Sequence, residues 1–195
     1  MDINLLETLK RLTRLYGSVI LSSQNMELVE QALHRNNYYI PPYCRHTSYE
    51  YLNKFYGVKP LFGFLVTEYD LDTYALEDIL YNVPMSEHTA LYVLKADYDN
   101  NILFQGEYYN WSDFHGFVND SLPHLPQTQY SLYTEWLEHR TDTLDLGEGF
   151  VQSISSKEGF ESYINTEVAH NYCVPQVIFK YMVESDILLR IPTHS

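Results

Sequence analysis

Apolar residues near the start of the chain recur every three or four positions, which is the spacing of an amphipathic helix. This pattern predicts helices over residues 3–16, 22–35 and 48–56. In the second of them, Ser22 or Ser23 is the expected N-cap, because a serine hydroxyl accepts a hydrogen bond from the first turn. The early part of the chain is therefore expected to be mainly helical.

Continuous apolar runs bounded by turn residues predict buried strands. The clearest are residues 89–96 (TALYVLKA) and 174–183 (VPQVIFKYMV), which we expect at the centre of one sheet. Shorter runs predict further strands over residues 18–21, 61–66 and 187–191. A turn signal, Asp-Asn-Asn, follows the first long run, so residues 102–105 are expected to return beside it as a hairpin partner.

Further helical patterns cover residues 74–81, 112–119, 130–140 and 157–164, and a polar stretch over 141–156 is the expected loop. Helices and strands follow one another without a regular βαβ alternation. The sequence therefore predicts an α+β fold, with a mostly antiparallel sheet packed with several short helices. A length of 195 residues favours one domain over residues 1–195.

Composition places the protein in the reducing interior of the cell. It has two cysteines, too few for the disulfide framework of a typical secreted domain. The first residues carry charges and lack the apolar run of a signal peptide, and no stretch approaches the length needed to span a bilayer. These features predict a cytoplasmic protein without membrane contact.

The net charge of −14 is distributed unevenly along the chain. Residues 1–60 are mildly basic, with seven Lys/Arg against five Asp/Glu, whereas residues 61–195 have five against 21 and also supply the main strands. Such a field repels nucleic acid and anionic membranes and favours a basic protein partner. The alternative interpretation is that the charge serves solubility alone.

Aromatic residues interspersed with these carboxylates can supply the desolvated anchors that charge alone does not provide. The predicted partner-binding set is Glu68, Asp70, Asp72, Glu77, Asp78, Tyr69, Tyr74, Tyr108, Tyr109 and Trp111. A divalent cation is an alternative for the carboxylates of residues 68–72, but the segment lacks the glycine and the closing glutamate of a calcium loop.

Each cysteine has a histidine near it, and two thiolates with two imidazoles form a ligand set for structural zinc. The residues are Cys44, His46, His170 and Cys173. Their spacing matches no finger pattern, so packing of the cysteines is the preferred interpretation. Cys44 also lies beside Arg45, which makes a nucleophilic thiolate a further hypothesis. No motif for a nucleotide or another cofactor is present, and none is expected.

Several stretches resemble a bacterial family of unknown function, domain-of-unknown-function family 3841. The resemblance covers roughly residues 48–191 and rests on YEYLNKFY, LFGFLV, HTALYVLKADYDNNILF, SDFHGFVND and VPQVIFKYMVESDILLRI. The positions of this chain that look like matches to the family's pattern are Phe114, His115, Val118, Asn119 and Gln176. The resemblance implies a shared fold and no assigned activity.

The last of these strands is similar to the closing strand of ADP-ribosyltransferase-like folds, which carry a catalytic glutamate two residues after the glutamine. Ile178 stands at that position here.

Three functional hypotheses follow. The leading one is a non-enzymatic binding or inhibitor protein that uses an acidic, tyrosine-rich surface to engage a basic, nucleic-acid-handling protein. Nucleic-acid mimics of this kind resemble the counter-defence inhibitors of phages and mobile elements. The alternative is a transferase-like enzyme, or a degenerate one, and the third is a metal-stabilised regulatory module.

Overall fold

The computed structural model describes residues 3–42, 47–74, 76–81, 83, 85–107, 112, 156–165 and 175–192. The chain forms two compact units. The first comprises residues 1–41, 60–105 and 174–195, and the second comprises residues 42–59 and 106–173. The single domain expected from chain length stays a prediction.

Except for one short helix at Glu68–Thr73, the helices agree with the apolar spacing over most of their lengths. Their bounds are α1 Ile3–Tyr16, α2 Met26–Asn36, α3 Thr47–Tyr56, α4 Glu68–Thr73, α5 Leu76–Tyr81 and α6 Lys157–Asn165, with a 3₁₀ turn at Glu184–Asp186. Of the helices in the described residues, α3 and α6 belong to the second unit. There the rings of Phe55 and Phe160 lie 5.4 Å apart, and Tyr56 donates a hydrogen bond to Glu161 at 2.7 Å.

The strands are β1 Ser18–Asn25, β2 Tyr38–Tyr39, β3 Leu61–Thr67, β4 Thr89–Lys95, β5 Ile102–Glu107, β6 Pro175–Phe179, β7 Met182–Val183 and β8 Ile187–Pro192. Six of them form one sheet in the order β5-β6-β3-β1-β4-β8, and β2 pairs with β7 in a second, two-stranded sheet. The pairs β1–β3, β1–β4, β3–β6 and β4–β8 are antiparallel. The predicted α+β fold with a mostly antiparallel sheet is confirmed.

The first long apolar run and the first half of the second lie inside the six-stranded sheet, as β4 and β6. β4 has β1 and β8 as neighbours, and β6 has β5 and β3. The second run is divided, because Lys180 and Tyr181 separate β6 from β7, which joins the smaller sheet.

The sheet buries side chains on both of its faces, as expected for strands that read as continuous apolar runs. On one face, Ile20, Leu65, Leu94 and Phe179 belong to a core cluster that also contains Val29 of α2. Residues between these positions along the strands, such as Leu21, Val66 and Val93, are buried too and point to the opposite face because strand side chains alternate. Helix α1 contacts β1.

The predicted N-cap of α2 is wrong. β1 continues past Ser22 and Ser23 to Asn25, whose side chain accepts a hydrogen bond from the backbone amide of Leu28 at 3.0 Å. Ser22 is buried, and its hydroxyl donates to the carbonyl oxygen of Phe62 in β3 at 2.6 Å. A serine before an apolar helix face therefore belongs to the sheet here, because the strand extends further than its apolar run.

The predicted hairpin between β4 and β5 is also wrong, because β5 lies beside β6. The side chain of Asn101, just before β5, donates to the carbonyl oxygen of Tyr181 at 2.8 Å and accepts from the amides of Lys180 and Tyr181. The turn signal indicates only that the chain reverses direction. The buried side-chain amide of Asn101 then holds the start of β5 beside residues 180 and 181.

The sequence patterns did not predict α4, because the carboxylates of residues 68–73 indicated only a charged surface. The helix predicted over residues 74–81 begins two residues later, as α5. The predicted helices over residues 112–119 and 130–140 and the loop over 141–156 lie outside the described residues, except for Ser112 and Ser156.

Candidate functional site

The acidic segment after β3 begins with a helix cap. Thr67 donates to Asp70 Oδ2 from both its amide and its hydroxyl at 2.7 Å, and the amide of Asp70 donates back to the Thr67 hydroxyl at 3.4 Å. This reciprocal arrangement is a capping box, which satisfies donors that a helix N-terminus leaves unpaired. Asp70 is thus a structural residue of α4.

Two further carboxylates of α4 form ion pairs with α1. Lys10 Nζ lies 2.6 Å from Asp72 Oδ1, and Arg14 donates through Nε to Glu68 Oε1. The Glu68 hydrogen bond and charge raise the pKa of Arg14. These pairs bring the basic start of the chain onto its acidic part, so Glu68 and Asp72 are partly neutralised within the fold.

The outward side of α5 carries both charge and an aromatic ring. Glu77 and Asp78 are exposed, whereas Leu76 and Ile79 are buried. Tyr81 stands four and three residues after these carboxylates, a spacing that places side chains on the same side of a helix. Its side chain is 88% exposed. The predicted partner-binding set did not include Tyr81. Its spacing from the apolar residues Leu76 and Ile79 could have indicated that it lies on the outward side of the helix.

Of the predicted aromatic residues, Tyr69 on α4 is 72% exposed and Tyr74 is partly buried. Among the described residues, Tyr81 and Tyr69 are the most exposed large apolar or aromatic residues. We refer to Tyr69, Glu77, Asp78 and Tyr81 as the acidic aromatic segment. Tyr108, Tyr109 and Trp111 lie outside the described residues.

All four residues of the zinc hypothesis, Cys44, His46, His170 and Cys173, also lie outside the described residues. The part of the chain that is described contains no group of three or more His, Cys, Asp or Glu side chains placed to hold a metal ion. The zinc and thiolate hypotheses thus stay predictions.

The glutamine of the transferase-like comparison lies in β6, where Gln176 is paired with Phe64 of β3 and is almost fully buried. Ile178, which stands where such folds carry a catalytic glutamate, is 3% exposed and is paired with Phe62. These positions supply a buried amide and an apolar side chain to the sheet.

A partly open cavity of about 530 Å³ lies in the first unit. Its walls come from α2 and the residue after it, from β4, from the 3₁₀ turn and from β8: Val29, Glu30, Leu33, His34, Asn37, Tyr92, Glu184, Ile187 and Arg190. The volume falls within the usual range of small-molecule sites. Sequence reasoning missed this site, because its residues come from four separate segments without a motif.

Tyr92 is a buried polar residue in the wall of this cavity. It is 1% exposed, and its hydroxyl has no hydrogen-bond partner among the residues that the structure describes. Burial raises its pKa, the nearby charges of Glu30 and Glu184 raise it further, and Arg190 lowers it. An unsatisfied buried hydroxyl costs about 1–3 kcal/mol. Such a group is unusual in a folded protein unless a ligand or a water molecule satisfies it.

Arg190 of β8 lies directly opposite Tyr92 of β4 in the sheet. Its guanidinium forms an ion pair with Glu30 of α2, so this pair links the strand to the helix along the cavity. Glu184 is exposed and has no ion-pair partner among the described residues.

Comparison with known protein families, curated proteins and solved structures finds no match to this chain. The resemblance to domain-of-unknown-function family 3841 therefore stays a prediction. Within the described residues, every helix is too short or too polar to cross a membrane.

Proposed function

We propose that this protein binds a basic surface of another protein through its acidic aromatic segment. The observation that carries the proposal is the exposure of Tyr81, at 88%, on the same side of α5 as Glu77 and Asp78. A partner that normally holds nucleic acid offers the required positive charge. Covering its groove would make this protein an inhibitor, of the kind that phages and mobile elements use against host defences. The proposal places both proteins in the cytoplasm.

Charge and aromatic rings have different effects in such an interface. A net charge of −14 steers a basic surface toward the protein and accelerates encounter. Tyrosine supplies contact area and is enriched among residues that dominate binding energy. Solubility alone explains exposed carboxylates, but it does not explain the exposed rings of Tyr69 and Tyr81. The combination therefore favours binding over solubility as the role of this segment.

Three of the five predicted carboxylates make contacts within the fold and are therefore poor choices for testing this proposal. Asp70 belongs to the cap of α4, and Glu68 and Asp72 pair with α1. Reversing their charges would disturb the fold and binding together. Glu77 and Asp78 are exposed, so their reversal changes the surface field while leaving these contacts intact.

The test begins with capture of partners from cell extract by a tagged chain at low salt, followed by purification of the captured protein and titration. Replacement of Glu77→Lys with Asp78→Lys is expected to weaken binding about tenfold or more, as is Tyr81→Ala. Increasing salt is expected to weaken the wild-type complex. Free DNA and RNA are expected not to bind in mobility-shift assays, because the net charge repels them.

A matched control changes the same number of charges elsewhere. Glu87→Lys with Asp99→Lys alters two exposed carboxylates outside α4 and α5, and Tyr38→Ala removes another exposed tyrosine. These variants are expected to retain binding within about twofold. Equal losses in the control and test variants would show that net charge, and not the acidic aromatic segment, governs association, and would overturn the proposal.

A further inference from the structure

The cavity between α2, β4 and β8 combines an apolar wall with an excess of negative charge. Val29, Leu33 and Ile187 form apolar parts of its lining. Its ionisable lining consists of Glu30, Glu184, His34 and a single arginine, which is paired with Glu30, so with a neutral imidazole at His34 the lining carries one net negative charge. One carboxylate charge therefore remains without a cationic partner among the described residues, and a ligand that balances it must be positively charged.

The Tyr92 hydroxyl is a second, independent indication of a ligand. It is buried in the cavity wall and has no hydrogen-bond partner within the described part of the chain, although it can both donate and accept. Apolar walls with a few polar groups that fix orientation are the usual construction of a small-molecule site.

We propose that this cavity binds a small organic cation, namely a primary amine with a short apolar body. The ammonium group pairs with the carboxylate of Glu184, and the apolar body packs against Val29, Leu33 and Ile187. The Tyr92 hydroxyl then accepts a hydrogen bond from the ammonium group.

This site is separate from the acidic aromatic segment, so the two proposals can fail independently. Three probes of similar size separate the contributions of charge and shape: phenethylamine, which is cationic, 3-phenyl-1-propanol, which is neutral, and 3-phenylpropionate, which is anionic. Binding is measured by titration with NMR detection on the full chain. Phenethylamine is expected to bind, the alcohol to bind about tenfold more weakly and the carboxylate to show no saturable binding.

Variants locate the bound probe. Glu184→Gln is expected to weaken phenethylamine binding about tenfold, because it removes the unpaired charge while keeping the side-chain shape. Tyr92→Phe is expected to weaken it several-fold and to leave the protein folded, because it removes a hydroxyl that has no partner. Glu87→Gln, at an exposed carboxylate outside the cavity lining, is the matched control and is expected to leave binding unchanged.

The proposal is overturned if the three probes bind equally, if none binds, or if the control weakens binding as much as Glu184→Gln. A lysine-containing peptide serves as a fourth probe. If the peptide binds at these residues while phenethylamine does not, the cavity receives a side chain of a protein partner and the small-molecule proposal fails.

Discussion

Lys10 of α1 donates a hydrogen bond to Asp72 of α4 across 2.6 Å, and so joins the mildly basic start of the chain to its acidic remainder. Arg14 and Glu68 make a second link between the same helices. Part of the charge asymmetry in the sequence is therefore used inside the fold. The surface available to a partner is correspondingly less acidic around α4 than the sequence suggests.

The Lys10–Asp72 pair can be measured by a double-mutant cycle. Lys10→Ala and Asp72→Ala are expected to show a coupling free energy of about 0.2–1 kcal/mol in urea unfolding, because Asp72 is largely exposed to solvent. The coupling is expected to decrease as salt is added. Glu77→Ala is the control and should show no coupling to Lys10→Ala. A cycle without measurable coupling would mean that this contact contributes nothing to stability.

Gly63 of β3 lies where β1 comes too close for a side chain. A Cβ atom there would overlap Cγ2 of Ile20 and lie 3.1 Å from the carbonyl oxygen of Leu21. Gly63→Ala is therefore expected to destabilise the protein by about 1–3 kcal/mol in urea unfolding, the range for overpacking a core.

Ile20→Leu provides the matched second change, because leucine has no second γ carbon on Cβ. The double variant with Gly63→Ala is expected to be more stable than the sum of the single effects, since the overlap is removed. Strict additivity of the two substitutions would show that the Ile20 methyl group is not the obstacle.

Asn101 is expected to be the most sensitive polar residue in the loop before β5. Asn101→Ala removes three side-chain hydrogen bonds to the backbone of Lys180 and Tyr181 in a buried site. The Lys180 amide keeps its bond to the Asn101 carbonyl oxygen, but the amide and carbonyl of Tyr181 lose this partner, which is expected to cost about 1–3 kcal/mol of unfolding free energy. The neighbouring Asn100 is exposed, and Asn100→Ala should change stability by about 0.5 kcal/mol or less. Equal effects at both positions would contradict the anchoring role of Asn101.

The sequence was a good guide to the fold wherever local pattern determines structure. Continuous apolar runs located β3, β4 and β6, and helical spacing located α1, α3 and α6. It failed where distant contacts decide. The partner of β5 depends on Asn101 reaching residues 180 and 181, and the end of β1 depends on its pairing with β4 as far as Asn25.

The same limit applies to the candidate sites. Carboxylates and tyrosines were identifiable as residue types, but the sequence could not show that Asp70 caps a helix or that Glu68 meets Arg14. The cavity beside Tyr92 was undetectable, because it depends on the packing of α2 against strands far away in the chain.

Tyr39 is expected to give the protein a characteristic alkaline unfolding profile. Burial raises its pKa to about 12, from an ordinary value of 10.0. A raised pKa means that the folded state holds the phenolic proton more tightly than the unfolded state. The resulting stability is present below pH 10 and is lost as the pH rises toward about 12. Urea unfolding across this interval should show a steeper loss for the wild type than for Tyr39→Phe. Identical slopes would show that Tyr39 titrates normally.

The strand order has a consequence for synthesis of the chain on the ribosome. β3 pairs with β1 on one side, but its other neighbour, β6, emerges only after residues 68–174 have been made. Until then, the nascent chain has an apolar strand with an open edge, the kind of surface that promotes association between incomplete chains. Slow elongation over this interval would prolong that exposure, and a chaperone that covers strand edges would increase the yield of native protein.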